Sequence, residues 1–219
     1  MLMLRAPGVY AAQGDTFLLA SVLRRERLAP GSRVLDVGTG SGLLAVAAAQ
    51  LGASVTAVDV SRRALVTAWA NAALRGKRIG LRVGDLLEPV RDRRFDLVVS
   101  NPPYVPSPDE QLPVRGIGRA WDAGPAGRTL LDRLAFDVPG VLAPGGAVLL
   151  VHSALCGGGV ETTRAALERG GLRTRVVARA RQPFGPVMRA RARWFERQGL
   201  IGAGQREEEL VVVRGELAR

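Results

Sequence analysis

Two stretches of this 219-residue chain bring together residue types that can do chemistry. In the first, Ser100-Asn101-Pro102-Pro103-Tyr104, two prolines stiffen the backbone and remove two N–H donors, leaving carbonyls facing outward. The Asn101 side-chain oxygen and the Pro102 carbonyl can together accept both hydrogens of a planar NH2 group, and Tyr104 offers a face on which that group can stack. A planar nitrogen is a poor nucleophile because its lone pair is delocalised. Two fixed acceptors favour the pyramidal geometry that frees it, which is catalysis by positioning and electrostatic preorganisation, without metal or covalent intermediate.

In the second stretch, Asp36-Val-Gly38-Thr-Gly40-Ser-Gly42 follows an apolar run and opens into a helical pattern. Glycines there let the backbone turn sharply and a ligand approach where a Cβ would clash. The spacing departs from the dinucleotide fingerprint at Leu43, and no Gly-Lys-Ser/Thr follows, so neither a nicotinamide site nor a P-loop is expected. Asp36 either meets an amine-bearing ligand or caps the turn. Asp59 ends the next apolar run, 17 residues after Gly42, where a carboxylate can accept two ribose hydroxyls. Asp85 follows the third run, placed to receive an adenine amino group while Leu86 covers the ring. Three acids at three successive strand ends, with a glycine loop between them, point to a nucleoside-binding crevice.

The elements that must position these residues alternate in type. Strands are expected at 32–37, 54–60, 79–83, 95–100, 146–152, 174–180 and 209–214. Helices are expected at 42–51, 61–71, 128–142, 161–169 and 187–198, with a long loop over 109–127. Such alternation predicts an α/β fold, a Rossmann-like seven-stranded, mostly parallel sheet with helices on both faces. Ligands of such sheets sit beyond the carboxyl ends of the strands, where both stretches fall. The chain reads as a single domain, 1–219, with an N-terminal lid or helix segment at 1–30 and an Arg-rich insertion at 183–206.

Composition narrows the classes. At 47% hydrophobic and 23% charged residues the chain can bury a core. Its longest apolar run, 143–155, is interrupted by Pro144, two glycines and His152, short of the roughly 20 residues a membrane helix needs. Residues 17–23 do not read as a secretory signal. One cysteine, Cys156, makes neither an internal disulfide nor a zinc site, so no metal is expected and the cytoplasm is the expected compartment. The net charge is +11, and all the basic residues except Lys77 are arginines. That balance fits an anionic partner such as RNA or a ribosome-bound complex, and equally a GC-rich genome. Between Glu161 and Gln198 ten Arg stand against three Glu, but Arg189, Arg191, Arg193 and Arg197 span about two helical turns and cannot all face one way. His152 reads as structural. Cys156 is set aside as a base-methylating nucleophile, because that chemistry wants the cysteine where Asn101 stands.

Together the Asp-x-Gly-x-Gly-x-Gly loop, Asp59, Asp85 and Asn101-Pro-Pro-Tyr104 resemble a class I S-adenosylmethionine-dependent methyltransferase of the amino-methylating kind. More narrowly, Val9-Tyr-Ala-Ala-Gln-Gly-Asp-Thr-Phe-Leu-Leu19 resembles the "VYEPAEDTFLL" opening of the HemK/PrmC-like glutamine methyltransferases in their short, eukaryotic and archaeal-like branch. Ala120-Trp-Asp-Ala-Gly-Pro-Ala-Gly-Arg128 is similar to that family's "AWAGGxxGR" stretch. The resemblance covers about residues 8–155 and implies methylation of the glutamine side-chain amide in the Gly-Gly-Gln motif of peptide-chain release factors. It implies that Thr16, Asp36, Gly38, Gly40, Asp59, Asp85 and Leu86 hold S-adenosylmethionine, which leaves as S-adenosylhomocysteine. Asn101 would contact both cofactor and target, with Tyr10 and Asp15 shaping a lid. A small activator subunit accompanies the eukaryotic short branch. Residues 11–14, Ala-Ala-Gln-Gly, depart from the usual Glu-Pro-Ala-Glu. Two alternatives stand beside this reading. One is a nucleic-acid methyltransferase acting on adenine N6 or guanine N2, which present the same planar NH2; the other is a catalytically silent cofactor-binding protein.

Overall fold

Short apolar runs near residues 33–37, 54–59, 95–100 and 146–153 form strands whose side chains are buried on both faces, as parallel sheets require. The structure, a computed structural model, describes residues 3–218, so Met1, Leu2 and Arg219 of the expected 1–219 domain lie outside the described residues. Strands β1 (Arg33–Val37), β2 (Ser54–Asp59), β3 (Gly80–Val83), β4 (Phe95–Ser100), β5 (Leu142–Ser153), β6 (Leu172–Pro183) and β7 (Glu207–Leu217) form one sheet in the order β3-β2-β1-β4-β5-β7-β6. Pairings from β3 to β5 are parallel. The seventh strand runs antiparallel to both of its neighbours, β5 and β6. The Rossmann-like, mostly parallel architecture read from the sequence is the one the chain adopts.

Helices cover both faces. Helices α1 (Gly14–Leu23) and α2 (Leu43–Gln50) pack Leu19, Leu23, Leu44 and Ala48 onto Val34, Leu97, Val99 and Leu149. On the other face α4 (Thr129–Asp137) and α5 (Gly159–Arg169) pack Leu131, Leu134 and Leu167 onto Leu35, Val98, Val148 and Leu150. The alternation of Leu97 with Val98, and of Leu149 with Leu150, is the period-two pattern that splits a strand between two cores. Helix α3 (Arg62–Ala73) begins at Ser61, whose hydroxyl accepts from the Ala64 N–H at 3.3 Å. A third apolar cluster lies at the end of the sheet. There α6 (Pro186–Arg197) sets Met188, Ala192 and Phe195 against Tyr104, Val105 and Cys156.

Boundaries differ from the sequence expectation where backbone chemistry intervenes. The helix expected to reach residue 142 ends at Asp137, because Pro139 and Gly140 tighten the chain into a 3₁₀ turn. The fifth strand starts at Leu142, pairing with Phe95 before an irregularity in the ladder. The sixth and seventh strands outrun their expected ends because each is the other's hairpin partner over 11 registered pairs. The segment before residue 30 contains α1, whose Leu19 and Leu23 pack into the core, while Gly8, Val9, Tyr10 and Thr16 of the same segment border the cavity described below. Among the described residues no helix is long and apolar enough to cross a membrane.

Candidate active site

The chain leaves β1 at Val37 and turns through Gly38, Gly40 and Gly42, all with positive φ. Gly42 is needed twice over. Its φ is +84°, and a Cβ there would stand 2.7 Å from the Cα and Cβ of Ala68, so only glycine lets α2 meet α3 this closely. Asp36 holds the turn from beneath. Its Oδ2 accepts from Thr39 Oγ1 at 2.6 Å and from the Ala45 N–H at 2.9 Å, while Oδ1 is buried without a partner. Complete burial pushes the Asp36 carboxyl up to about 7, against the pull of those two donors. Of the two sequence readings of Asp36, the geometry matches the turn cap: the residue is fully enclosed and does not border the crevice.

The crevice is a cavity of about 360 Å³ bordered by Thr16, Gly38, Gly40, Asp59, Asp85 and Asn101. That volume lies within the ordinary range for small-ligand sites. Asp59 is fixed by two backbone donors, Gly40 N–H at 2.9 Å and Ser61 N–H at 2.8 Å. Burial raises its carboxyl, and the Ser61 and Gly40 amides and the charge of Arg119 pull it back. Asp85 is held by Arg133 at 2.6 Å, with both side chains part-exposed. Leu86 borders the cavity from a backbone with φ +46°, a left-handed conformation costing a leucine roughly 1–2 kcal/mol. Such strain is tolerated where the surrounding fold aims a side chain, here toward the crevice.

Asn101 stands at the carboxyl end of β4, and a chain of hydrogen bonds sets its orientation. Asp15 accepts at Oδ1 from the Thr16 N–H (2.6 Å) and the Thr16 hydroxyl (3.1 Å). The Thr16 hydroxyl has thus spent its proton, so it accepts from Asn101 Nδ2 at 3.1 Å. Asn101 Oδ1 is thereby left as the free end, and it is buried with no partner. A buried acceptor without a donor costs about 1–3 kcal/mol, and Asn101, unlike the enclosed Asp36, borders the cavity, so a ligand there can supply the missing hydrogen. Pro102 is buried behind it, and Pro103 borders the cavity.

Tyr104 is not where the sequence reading put it. Its hydroxyl donates to Asp15 Oδ2 at 2.9 Å, beside Tyr10, which donates to the same oxygen at 3.1 Å. The ring is buried against α6 and borders a second cavity, not the one that Asn101 faces. Its hydroxyl tethers Asp15, and its ring does not border the cavity that Asn101 faces. Burial and the neighbouring Asp15 carboxylate push both tyrosine hydroxyls above their ordinary pKa, so they remain donors.

The structure also brings in residues that sequence reasoning missed. Arg119 and Ile117 of the long loop close over the main cavity, which a polar, aperiodic segment gave no reason to expect. Arg191 of α6 turns inward to pair with Asp122 at 2.5 Å and to donate to the Pro106 carbonyl at 3.0 Å, while Arg189, Arg193 and Arg197 face solvent. Glu208 is buried at 4% exposure. Its signal was legible: an acid triplet, Glu207 to Glu209, precedes a strand whose alternation puts residue 208 on the buried face with Leu210 and Val212. His152 is enclosed, donates from Nδ1 to the Ser153 carbonyl at 2.8 Å, and is pushed down to about 4 by burial. Burial holds the Cys156 thiol up at about 12, as an inert donor to the Tyr104 carbonyl. Among the described residues no group of three or more His, Cys, Asp and Glu could hold a metal ion.

Residues 1–114 match the methyltransferase small domain family. A Methanocaldococcus jannaschii protein, provisionally named a protein N5-glutamine methyltransferase, is 33% identical over 183 residues, covering 83% of this chain and 90% of its own. The release factor glutamine methyltransferase of Bordetella pertussis is 41% identical over 180 residues, covering 76% of this chain. The match spans 64% of the Bordetella protein and 53% of its Geobacter sulfurreducens counterpart, so the chain corresponds to part of those longer bacterial relatives. Among solved structures, the ribosomal protein L11 methylase of Lactobacillus delbrueckii aligns at TM-score 0.60 and 25% identity, over 94% of this chain and 81% of its own. A methyltransferase from Pyrococcus furiosus aligns at TM-score 0.64 and 16% identity, over 99% and 89%, a likeness of fold.

Proposed function

The chain belongs to the methyltransferase small domain family, alongside protein glutamine methyltransferases, and from that footing we propose that it methylates the side-chain amide nitrogen of a glutamine, the one in the Gly-Gly-Gln motif of a peptide-chain release factor. The observation that carries the reading is Asn101 Oδ1, buried, unpartnered and fixed in orientation through Thr16 and Asp15. An acceptor so held suits a ligand that presents the hydrogen of a planar amide.

The crevice fits S-adenosylmethionine as the methyl donor, since Gly38 and Gly40 leave open space where a Cβ would stand and acids border the cavity at two strand ends. Bound there, that cofactor supplies an electrophilic methyl group carried on a sulfonium. Gly38 and Gly40 would hold it through the backbone, Asp59 through the ribose hydroxyls, and Asp85 with Leu86 at the adenine; Thr16 and Asn101 would face its methyl-bearing end, and Asp36 supports the loop from below. Asn101 Oδ1 would accept one hydrogen of the target amide and the Pro102 carbonyl the other, favouring a pyramidal nitrogen whose lone pair is free to take the methyl group, with the displaced amide proton passing to solvent. The approach is fixed before the reaction begins, because Asn101 cannot rotate without losing its bond to Thr16.

A protein glutamine is favoured over an adenine or guanine amine because the matching relatives bear names of protein glutamine methyltransferases. Such a substrate puts the reaction in the cytoplasm. The test is incubation of the protein with release factor and S-adenosylmethionine, followed by mass spectrometry of the Gly-Gly-Gln peptide. One added methylene on the glutamine is expected. No transfer to release factor, with label passing instead to RNA in a form lost to nuclease and resistant to protease, would assign the nucleic-acid reading.

A further inference from the structure

A second cavity, also of about 360 Å³, lies beside the first and shares with it the wall formed by Gly8, Val9, Tyr10 and Ile117. Neither the glycine loop nor Asn101 borders it. Its sides are apolar, with Val105, Trp121, Val187 and Met188 among them, and the last two come from α6. Asp15 and Glu208 also border it. Asp15 is saturated, accepting from both tyrosines and from Thr16. Glu208 is not. Its Oε1 accepts from Gln182 Nε2 at 2.9 Å, which fixes the carboxylate, while Oε2 is buried and makes no well-formed hydrogen bond, with the Ser153 hydroxyl standing near enough to favour the charged form.

A buried carboxylate oxygen with no well-formed hydrogen bond, at the end of an apolar pocket, is expensive to keep unless a donor arrives to meet it. Position 14 is Gly where the opening motif that this sequence resembles has Glu, and a Cβ on Gly14 would run into the Gln182 side chain. Gln182 and Glu208 hang from neighbouring strands β6 and β7, and the end of the Gln182 side chain occupies the space that a side chain at position 14 would need. Arg5 stands at the rim of the cavity.

We propose that this second cavity receives a neighbouring side chain of the substrate polypeptide, one with an apolar stem and an N–H donor at its tip, and that Glu208 Oε2 accepts from that donor. The proposal rests on the protein-glutamine reading above: with the target amide at Asn101, the next pocket along the shared wall takes an adjacent part of the same chain. Trp121, Val187 and Met188 hold the stem, as amphipathic side chains bury their methylenes and keep a polar tip paired. Amide, guanidinium and ammonium tips share this donor chemistry.

The test compares wild type, Glu208→Gln and Val187→Phe in steady-state methylation of intact release factor and of release factors with single alanine replacements flanking the target glutamine. Glu208→Gln turns the free acceptor into an amide, and loss of a charge-assisted hydrogen bond should raise KM for release factor about tenfold, with a far smaller change in kcat. Val187→Phe, at a part-exposed helix position, should raise KM by filling the pocket with Glu208 intact. Cofactor affinity measured by calorimetry should hold in both. One flanking alanine should raise KM with wild type and add nothing with Glu208→Gln, which identifies the donor. An unchanged KM in a folded Glu208→Gln enzyme, or in Val187→Phe should the first not fold, overturns the proposal. Failure of the parent reading shows differently, as no methylation of release factor by the wild type.

Discussion

At the level of single side chains, the site turns on which way one amide points. Asn101 would be ambiguous in isolation, but Thr16 is committed to Asp15 and the ambiguity vanishes. Asn101→Ala should therefore lower kcat by about 100-fold or more, the usual loss for one preorganised transition-state contact, while calorimetric affinity for S-adenosylmethionine changes far less. Equal losses in both would make Asn101 a cofactor ligand and nothing more. The residue types were largely legible in the sequence. Asn101, Asp59, Asp85, Leu86 and the glycines do meet at one crevice, because their chemistry follows from their position at strand ends. Partners were not legible: the sequence offers no sign that Tyr104 spends its hydroxyl on Asp15, 89 positions away, or that Asp85 meets Arg133.

At the level of elements, the crevice depends on how closely α2 and α3 pack behind the glycine loop. Gly42→Ala combines a left-handed backbone with a clash on Ala68, so it should destabilise the fold by about 1–3 kcal/mol, read as a lower urea midpoint with unchanged m-value. A midpoint equal to wild type would show that the two helices can move apart. Most elements were legible from apolar periodicity, and where they were not the reason is physical. Helix α4 stops early at a Pro-Gly pair, and β6 and β7 extend because a hairpin partner, which no local window can contain, carries their pairing outward. The long loop looked featureless, yet the ladder contact between Val105 and Asp122, and the Arg191 pair on Asp122, pin it to α6.

At the level of the whole molecule, buried titratable groups make stability depend on pH in two opposing ways. Asp36, held up at about 7, keeps a proton that the unfolded chain loses near pH 4, so its contribution to stability falls as pH rises through that window. The carboxyls of Asp59 and Glu208, raised by burial, act in the same direction. His152, pushed down to about 4 from 6.5, stays neutral where the unfolded chain takes up a proton, so its contribution is lost as pH falls through the range between those values. Each such group is worth about 1.4 kcal/mol per pH unit at most. Removing Asp36 as Asp36→Asn should leave stability falling less steeply, or rising, between pH 4.5 and pH 6.5, measured by urea unfolding; identical slopes would show that Asp36 is ionised in the folded protein. The arrangement of the strands has a further consequence, for the order in which the protein can be made. Strand β7 lies between β5 and β6 but follows both in the chain. During synthesis the cofactor crevice, bordered by residues between 8 and 130, can take shape while β5 still has an open edge, whereas the wall that carries Glu208 must wait for the ribosome to release the final strand. A nascent chain halted before Glu207 would thus have a place for the methyl donor and no finished second pocket beside it.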